Sequence, residues 1–254
     1  MSSSPNSLQH VSIRQFAEHF RNEMIPLSSR FCYFSAAAGL STDDLREYLE
    51  EPVAALPPAV SSLLPPVRVL LVPYLERANG RAKAAVELLV AVERPADAKT
   101  SWSGSIVSPD GAVLAFAVKD QEVADYHYRF YNALAELIFA RIPDSVLASY
   151  TTLLREELGA STHGEVDEPS WRLKQILVRR GSAARDTKPF KDYLRASFID
   201  TLTLYLHGIC CDIDVETGPR QLATRWLRRR LRLFRDAFPP PEGYAVFPDE
   251  VRPS

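Results

Sequence analysis

Hydrophobic residues recur at helical spacing in the first fifty residues of the chain. Ser12 and Gln15 have the spacing of a capping box, and the apolar side chains after them predict a first helix over about 12–24. A second predicted helix opens at Ser41 and stops before Pro52, because proline cannot continue the hydrogen bonds of a helix. Both segments have the pattern of amphipathic helices.

The hydrophobic pattern changes in residues 67–118, where aliphatic and β-branched side chains dominate. Asn79-Gly80 separates the first two apolar runs, and Ser-Pro-Asp-Gly at 108–111 separates the next two. Both are sequences of tight turns, in which glycine adopts a positive φ. Four strands joined in sequence order predict a four-stranded antiparallel β-meander.

From Asp120 onward the apolar residues return to helical spacing. Predicted helices cover residues 120–141, 143–158, 171–178, 189–208 and 219–238. The chain is therefore expected to be an α+β protein, with N-terminal helices and a four-stranded antiparallel β-meander followed by a mainly helical C-terminal half. The expected regions are 1–66 (N-terminal helices and a proline-rich connector), 67–142 (β-meander plus packing helix), 143–238 (helical C-terminal half) and 239–254 (proline-rich tail).

Composition adds constraints on partners and compartment. The 254 residues carry a formal net charge of −2, so the whole chain has no electrostatic preference for nucleic acid or an anionic membrane. No run of about 18 apolar residues predicts a membrane span, and the N-terminus lacks the pattern of a secretory signal. The three cysteines, Cys32, Cys210 and Cys211, are expected to be free thiols in the cytoplasm.

Four residues in the C-terminal half are candidate metal ligands. His163 and Glu165 lie in a predicted loop, while Asp200 and His207 share one face of the predicted helix 189–208. Imidazole and carboxylate groups are common ligands of divalent metals, so these residues predict a divalent metal site if they converge. The alternative is structural: a solvated loop, and a polar stripe whose side chains pair with arginines and backbone groups.

A run of alternating carboxylates follows that helix. Asp212, Asp214 and Glu216 superficially resemble a calcium-binding loop. The match fails at Gly218, which is one place late for the sharp turn, and at Ala223, which cannot supply the final carboxylate.

The common catalytic fingerprints are missing from the sequence. The helix after the predicted sheet reads HYRFY over residues 127–131 where a zinc peptidase has H-E-x-x-H, and His127 lies on the apolar stripe expected of a core histidine. Adjacent Cys210 and Cys211 follow a predicted helix C-terminus, where the macrodipole disfavours a thiolate. Nothing in these motifs identifies a reaction.

The last predicted helix is amphipathic and strongly basic. Its candidate partner-binding residues are Arg225, Arg228, Arg229, Arg232 and Arg235. Guanidinium groups suit carboxylates and phosphates alike, so this face favours an acidic protein surface or a phosphate backbone. The structural alternative is pairing within the chain, with Glu156, Glu157, Glu165, Asp167 and Glu168 as the carboxylates.

Three functional hypotheses follow. The favoured one is a non-catalytic interaction or regulatory protein whose arginine-rich helix and helical half contact another protein. The first alternative is a metal-dependent, hydrolase-like enzyme that uses the His/Asp/Glu set, and the second is nucleic-acid binding through the arginine-rich helix. No membrane partner is expected.

Overall fold

The structure of the chain is a computed structural model. It describes residues 10–37, 39–78, 87–181, 186–211 and 222–247. The chain divides into two compact units, which we name the sheet unit (Met1–Glu50 and Pro65–Arg129) and the helical unit (Glu51–Leu64 and Phe130–Ser254).

The sheet unit contains short helices and all the strands that the structure describes. Its helical segments are α1 (Ile13–His19), a 3-10 turn (Arg21–Glu23), α2 (Thr42–Leu45) and a π-helical turn (Arg46–Glu50). Its strands are β1 (Ile25–Pro26), β2 (Phe31–Ser35), β3 (Val67–Val72), β4 (Tyr74–Arg77), β5 (Leu88–Ala91), β6 (Thr100–Ser101), β7 (Ser103–Ser108) and β8 (Gly111–Ala117). Helix α5 (Val123–Phe139) begins in this unit and ends in the other. The predicted capping box at Ser12 and Gln15 is confirmed.

The predicted four-stranded antiparallel meander is wrong. Among the described residues, the main sheet has five strands in the order β1-β2-β3-β8-β7. It is mixed, because β2, β3 and β8 run parallel while β1 and β7 are antiparallel to their neighbours. A second, antiparallel sheet has the order β5-β4-β6. The α+β class itself is confirmed.

Two features explain the different topology. Pro73 has no backbone N–H to donate, and the chain leaves the main sheet there, since β3 pairs in the five-stranded sheet and β4 in the three-stranded one. All seven residues of β8 are buried, which is typical of a central parallel strand covered on both faces. The alternating pattern of a half-exposed antiparallel strand is therefore absent from β8.

The two predicted hairpins are present as strand pairs. Strands β7 and β8 pair antiparallel up to Ser108 and Gly111, and Gly111 has a φ of +138°. A Cβ at Gly111 would lie 2.4 Å from the Pro66 carbonyl oxygen, so this turn requires glycine for its space as well as its φ. Strands β4 and β5 also pair antiparallel, but Asn79-Gly80 between them lies outside the described residues.

The core of the sheet unit is apolar. Phe16 on α1 and Phe20, the C-cap of that helix, pack with β-strand residues such as Leu70, Val90 and Val113 in one buried cluster. His127 on α5 is 5 % exposed and hydrogen-bonds through Nε2 to the Glu47 carbonyl at 2.9 Å, so it is the satisfied core histidine that its position on the apolar stripe predicts.

In its described residues, the helical unit contains six helices and the end of α5. They are α3 (Glu51–Ala54), α4 (Pro58–Leu63), α6 (Asp144–Gly159), α7 (Glu168–Arg179), α8 (Lys188–Cys210) and α9 (Thr224–Ala237). The prediction that the second helix stops before Pro52 is wrong, since Glu51–Ala54 is helical. The four C-terminal helices match their predictions in number and approximate place.

Side-chain caps fix the starts of two of these helices. Asp167 accepts a hydrogen bond from Glu168 N at 2.6 Å at the start of α7, and Thr187 accepts one from Phe190 N at 3.4 Å at the start of α8. In the described part of the proline-rich tail, Val246 and Phe247 are buried.

None of the helices described by the structure has both the length and the apolar character needed to cross a membrane.

Candidate functional site

Helix α9 carries one arginine on its buried face, besides those on its other side. Trp226, Leu227, Leu231 and Phe234 are buried, as the amphipathic pattern predicts. Arg230 lies four residues after Trp226 and four before Phe234, so it falls on the same apolar stripe, and it is 0 % exposed. Burial of an arginine requires partners for all its N–H groups.

Two glutamates supply most of those partners. Arg230 donates from Nε to Glu157 Oε1 at 2.8 Å and from Nη2 to Glu157 Oε2 at 2.5 Å. It also donates from Nη1 and Nη2 to the two Glu165 oxygens at 2.7 and 2.8 Å. Nη1 reaches Ser197 Oγ on α8 at 2.9 Å. The guanidinium is therefore clamped between two bidentate carboxylates, the geometry in which arginine pairs most strongly.

Glu165 is the second centre of this network. Besides Arg230, it accepts a hydrogen bond from Tyr193 Oη at 2.5 Å and lies 3.5 Å from Lys174 Nζ, which itself donates to the Gly164 carbonyl at 2.7 Å. Burial alone raises the pKa of Glu165, but the Arg230 charge and hydrogen bonds, together with Lys174 and Tyr193, outweigh burial and lower the pKa to about 2. Glu165 is ionised in the folded protein at neutral pH.

These residues form what we name the Arg230 network: Glu157, Glu165, Lys174, Tyr193, Ser197 and Arg230. They come from α6, the loop before α7, α7, α8 and α9. Two carboxylates face two cations, so the set is neutral as well as hydrogen-bonded. A fully buried set of this kind joins four helices, which favours a structural role.

The other arginines of α9, which are exposed or half-buried, differ in how they are paired. Arg229 forms an ion pair with Glu156 at 2.6 Å, and Arg235 forms one with Asp236 at 3.1 Å. Arg228 lies over the Phe247 ring, with 5.5 Å between its Cζ and the ring centroid. Of the predicted pairs within the chain, the structure contains Arg229 with Glu156. Glu157 and Glu165 pair instead with Arg230, which the prediction left out.

Arg225 and Arg232 are the exception. Both are exposed, and within the described residues neither has a carboxylate partner. Arg225 packs over the Trp226 ring, 5.5 Å from its centroid. With Arg229 between them at helical spacing, they form one line along α9, which we name the arginine stripe (Arg225, Arg229 and Arg232).

The stripe borders an open groove between α6 and α9. The groove has a volume of about 530 Å³ and is lined by apolar and charged side chains, including Val146, Leu153, Arg232, Leu233 and Asp236. A smaller hollow of about 420 Å³ lies at the other end of the stripe, against Ala160, Arg225, Trp226 and Arg229. Cationic and apolar groups are therefore presented side by side.

The four predicted metal ligands lie in different surroundings. His163 is exposed, Glu165 is held in the Arg230 network, and His207 is buried on the last turn of α8. All four are in the described part of the chain, and no three of them bring ligand atoms within 4.8 Å of one another. The metal site with these four ligands stays a prediction. Asp212, Asp214 and Glu216 fall outside the described residues.

Asp200, the remaining predicted ligand, lies on α8 and hydrogen-bonds to the N-terminal turn of α7. Its Oδ2 accepts a hydrogen bond from Ser170 N at 3.1 Å, in the first turn of α7. Burial raises the pKa of Asp200 to about 6, with Asp167 and Glu165 adding to the rise and the Ser170 hydrogen bonds opposing it.

Arg230 is the residue that the sequence prediction missed. The predicted binding set took the arginines on the exposed side of the last helix and left Arg230 out. The sequence does indicate its burial, because Arg230 lies four residues from both Trp226 and Phe234 and therefore on the apolar face of the helix. A buried arginine requires buried carboxylates elsewhere in the chain.

No protein-family model, curated protein or solved structure matches this chain.

Proposed function

We propose that this chain is a non-catalytic interaction protein that binds an acidic, partly apolar segment of a partner protein along the arginine stripe and its groove. The observation that carries the proposal is the exposure of Arg225 and Arg232 without carboxylate partners in the described residues, beside apolar groove walls.

The charges in the groove define the partner's chemistry. Glu156 forms an ion pair with Arg229, and Asp236 forms one with Arg235. Among the described residues that line the groove, Arg232 is therefore the cation that can pair with a carboxylate of the partner. A guanidinium binds a carboxylate in a two-pronged geometry, and each such charge-assisted hydrogen bond contributes about 1.5–3 kcal/mol. A complementary segment places carboxylates opposite Arg225 and Arg232.

Apolar side chains supply the second part of the match. Val146, Leu153 and Leu233 line the groove next to Arg232. An aliphatic or aromatic side chain of the partner that fills this space would bury apolar surface, which contributes about 25 cal/mol per Å². An amphipathic helix with both acidic and apolar positions meets both requirements.

Nucleic acid is a poorer match to the same surface. Glu156 and Asp236 line the groove and would repel phosphates, and the formal net charge of the chain is −2. The metal-dependent hydrolase has less support, because Glu165 and Asp200 are buried and hydrogen-bonded inside the helical unit.

The test uses the purified full chain and three fluorescent probes: an amphipathic Glu/Leu peptide, its Lys/Leu counterpart and a short DNA duplex. Fluorescence polarisation should show binding to the Glu/Leu peptide alone. Arg232→Glu should weaken that binding by about tenfold or more, because tenfold corresponds to about 1.4 kcal/mol, less than one lost charge-assisted hydrogen bond.

The matched control is Arg179→Glu, which makes the same charge change at an exposed arginine at the end of α7. The affinity of this variant for the Glu/Leu peptide should stay within about twofold of that of the unmodified chain, because Arg179 lies outside the proposed binding surface. Equal losses in both variants would show a nonspecific charge effect. Tighter binding of the DNA duplex, with a steep salt dependence, would favour the nucleic-acid alternative.

A further inference from the structure

In the described part of the chain, three of the four edges of the two sheets are short or already covered. Strands β1 and β6 have only two residues each, and β1 contains Pro26, which has no N–H to donate. The outer edge of β5 is occupied, because Val90 accepts a hydrogen bond from His10 N and donates one to the Val11 carbonyl, both at 2.9 Å. Strand β7 is the fourth edge.

The outer edge of β7 presents open backbone groups along its length. Backbone groups of an antiparallel strand point alternately to its two sides. Because the Trp102 carbonyl accepts a hydrogen bond from Ala117 N at 3.0 Å, every second residue after Trp102 faces β8. The residues between them present their N–H and C=O groups to the outer edge: Ser103, Ser105 and Val107. The one hydrogen bond that the described residues make to these groups runs from Ser101 Oγ to the Ser103 carbonyl at 3.2 Å, and a carbonyl can accept a second.

Strand β7 lacks the features that keep exposed edges from pairing. It reads SGSIVS over Ser103–Ser108, with no proline and no charged residue. Val107 is 57 % exposed although it is apolar. Exposed edges in native proteins carry charges, prolines or bulges that prevent another strand from adding. Their absence indicates that β7 accepts a further strand.

We propose that β7 pairs antiparallel with β7 of a second copy of this chain, about a two-fold axis at Ser105. This register places Ser105 opposite its own counterpart and Ser103 opposite Val107, so about six backbone hydrogen bonds form, two for each facing pair. A register shifted by one residue places Ser103 opposite Pro109, which has no N–H, and loses hydrogen bonds. The surface belongs to the sheet unit and shares no residue with the arginine stripe.

The side chains of two copies are compatible in this register. Ile106 lies opposite Gly104 of the second copy, so a large side chain meets a residue that has none. A hollow of about 400 Å³ beside Ser105 and Ile106, lined also by Ile13 and Leu88, adds apolar surface next to the edge. Because β7 itself is uncharged, the paired strands place no like charges opposite each other, which would destabilise them. A second copy therefore matches the edge in shape and in charge.

The experiment is sedimentation equilibrium of the purified full chain from about 1 to 300 μM, the range in which a small interface dissociates. The mass should rise from 28.5 kDa toward twice that value. Val107→Lys should weaken association by about tenfold or more, because it places a charge on the pairing edge. The matched control is Ile25→Lys, the same change at a side chain that is 51 % exposed on β1, the other edge of the same sheet, and it should associate like the unmodified chain.

A second variant tests the register. Ser105→Cys places two thiols opposite each other with about 5.5 Å between their Cα atoms, within the range of a disulfide. Mild oxidation should give a covalent dimer that is absent from the unmodified chain and from Ile25→Cys. Circular dichroism separates lost pairing from lost folding.

Three results would overturn the proposal. An unmodified chain that stays monomeric at the highest concentration would exclude self-pairing and leave the edge for an extended segment of another protein. Equal weakening by Val107→Lys and Ile25→Lys would place the contact elsewhere. A dimer that does not cross-link in Ser105→Cys would contradict the two-fold axis at Ser105.

Discussion

The sheet unit and the helical unit bury different kinds of side chain. Within the described residues, the sheet unit buries no Asp, Glu, Lys or Arg, and its buried polar side chains are Ser12, Ser101 and His127. The charged side chains buried in the helical unit are Glu157, Glu165, Lys174, Asp200 and Arg230. In its described residues, the sheet unit has no charged side chain in its core, whereas the helical unit buries charged side chains that neutralise one another.

The backbone accounts for this difference. Strands β2, β3, β8 and β7 are aligned by ladder hydrogen bonds, so apolar side chains need only fill the space between the sheet and the helices. Helices satisfy their backbone internally and can slide or rotate against one another. Side-chain contacts alone fix how α6, α7, α8 and α9 pack, and the Arg230 network supplies directional ones.

The largest predicted effect is at the centre of that network. Arg230→Met should lower the free energy of unfolding by about 3–5 kcal/mol, because it removes the cation that pairs with both buried carboxylates and leaves Glu165 with Lys174 alone. Urea unfolding followed by circular dichroism measures the loss. Arg232→Met, the same change at an exposed position of α9, should stay within about 0.5 kcal/mol. A loss at Arg230 no larger than the loss at Arg232 would contradict a structural role for the network.

Acid should destabilise the helical unit through Glu165. The folded-state pKa is lowered from 4.5 to about 2, so its contribution is fully present above about pH 4.5 and is lost as pH falls through 2. The loss is on the order of 3 kcal/mol, at about 1.36 kcal/mol per pKa unit. Urea unfolding at several pH values measures this loss, and the free energy of unfolding of Glu165→Gln should depend less on pH over the same range.

A substitution in the apolar core provides the comparison for that experiment. Leu70→Ala on β3, where the side chain is 0 % exposed, should cost about 2–5 kcal/mol while leaving the acid dependence of the unmodified chain in place. If the free energy of unfolding fell equally with acid in Glu165→Gln and in Leu70→Ala, the pH effect would come from groups other than Glu165.

The smallest predicted effect has the opposite sign. Asp200 has its pKa raised from 3.8 to about 6, so its stabilising contribution is complete below about pH 3.8 and is lost as pH rises through 6. Asp200→Asn keeps an oxygen for Ser170 N and removes the buried charge, so it should stabilise the chain at pH 7 by about 1–3 kcal/mol.

Thermal unfolding at pH 7 measures that gain, and Asp192→Asn is its control, since Asp192 is an exposed carboxylate on the same helix. The control should lie within about 0.5 kcal/mol of the unmodified chain. Destabilisation by Asp200→Asn would mean that the charge itself holds the start of α7.

Local features of this fold could be predicted from sequence, and long-range ones could not. The capping box at Ser12, the hairpin turn at Gly111 and the core position of His127 each depend on residues a few places apart. The parallel pairing of β2, β3 and β8 joins segments tens of residues apart, with no turn sequence to specify it. The five-residue strand β2 was missed for the same reason.

The candidate site shows the same limit. The exposed arginines were predictable, because amphipathic spacing alone selects them. The partners of Arg230 come from α6 and from the loop before α7, and helical periodicity cannot pair them across that distance. The charge on a buried face was visible in the sequence, but its two glutamates were not distinguishable from other carboxylates.

The most direct test of the proposed division of α9 measures stability and affinity in one variant, Arg225→Gln/Arg232→Gln. The free energy of unfolding should change by no more than about 0.5 kcal/mol, while affinity for the Glu/Leu peptide should fall by about tenfold or more. Unchanged affinity, or a loss of affinity that only follows a loss of stability, would contradict the assignment of these two arginines to partner binding.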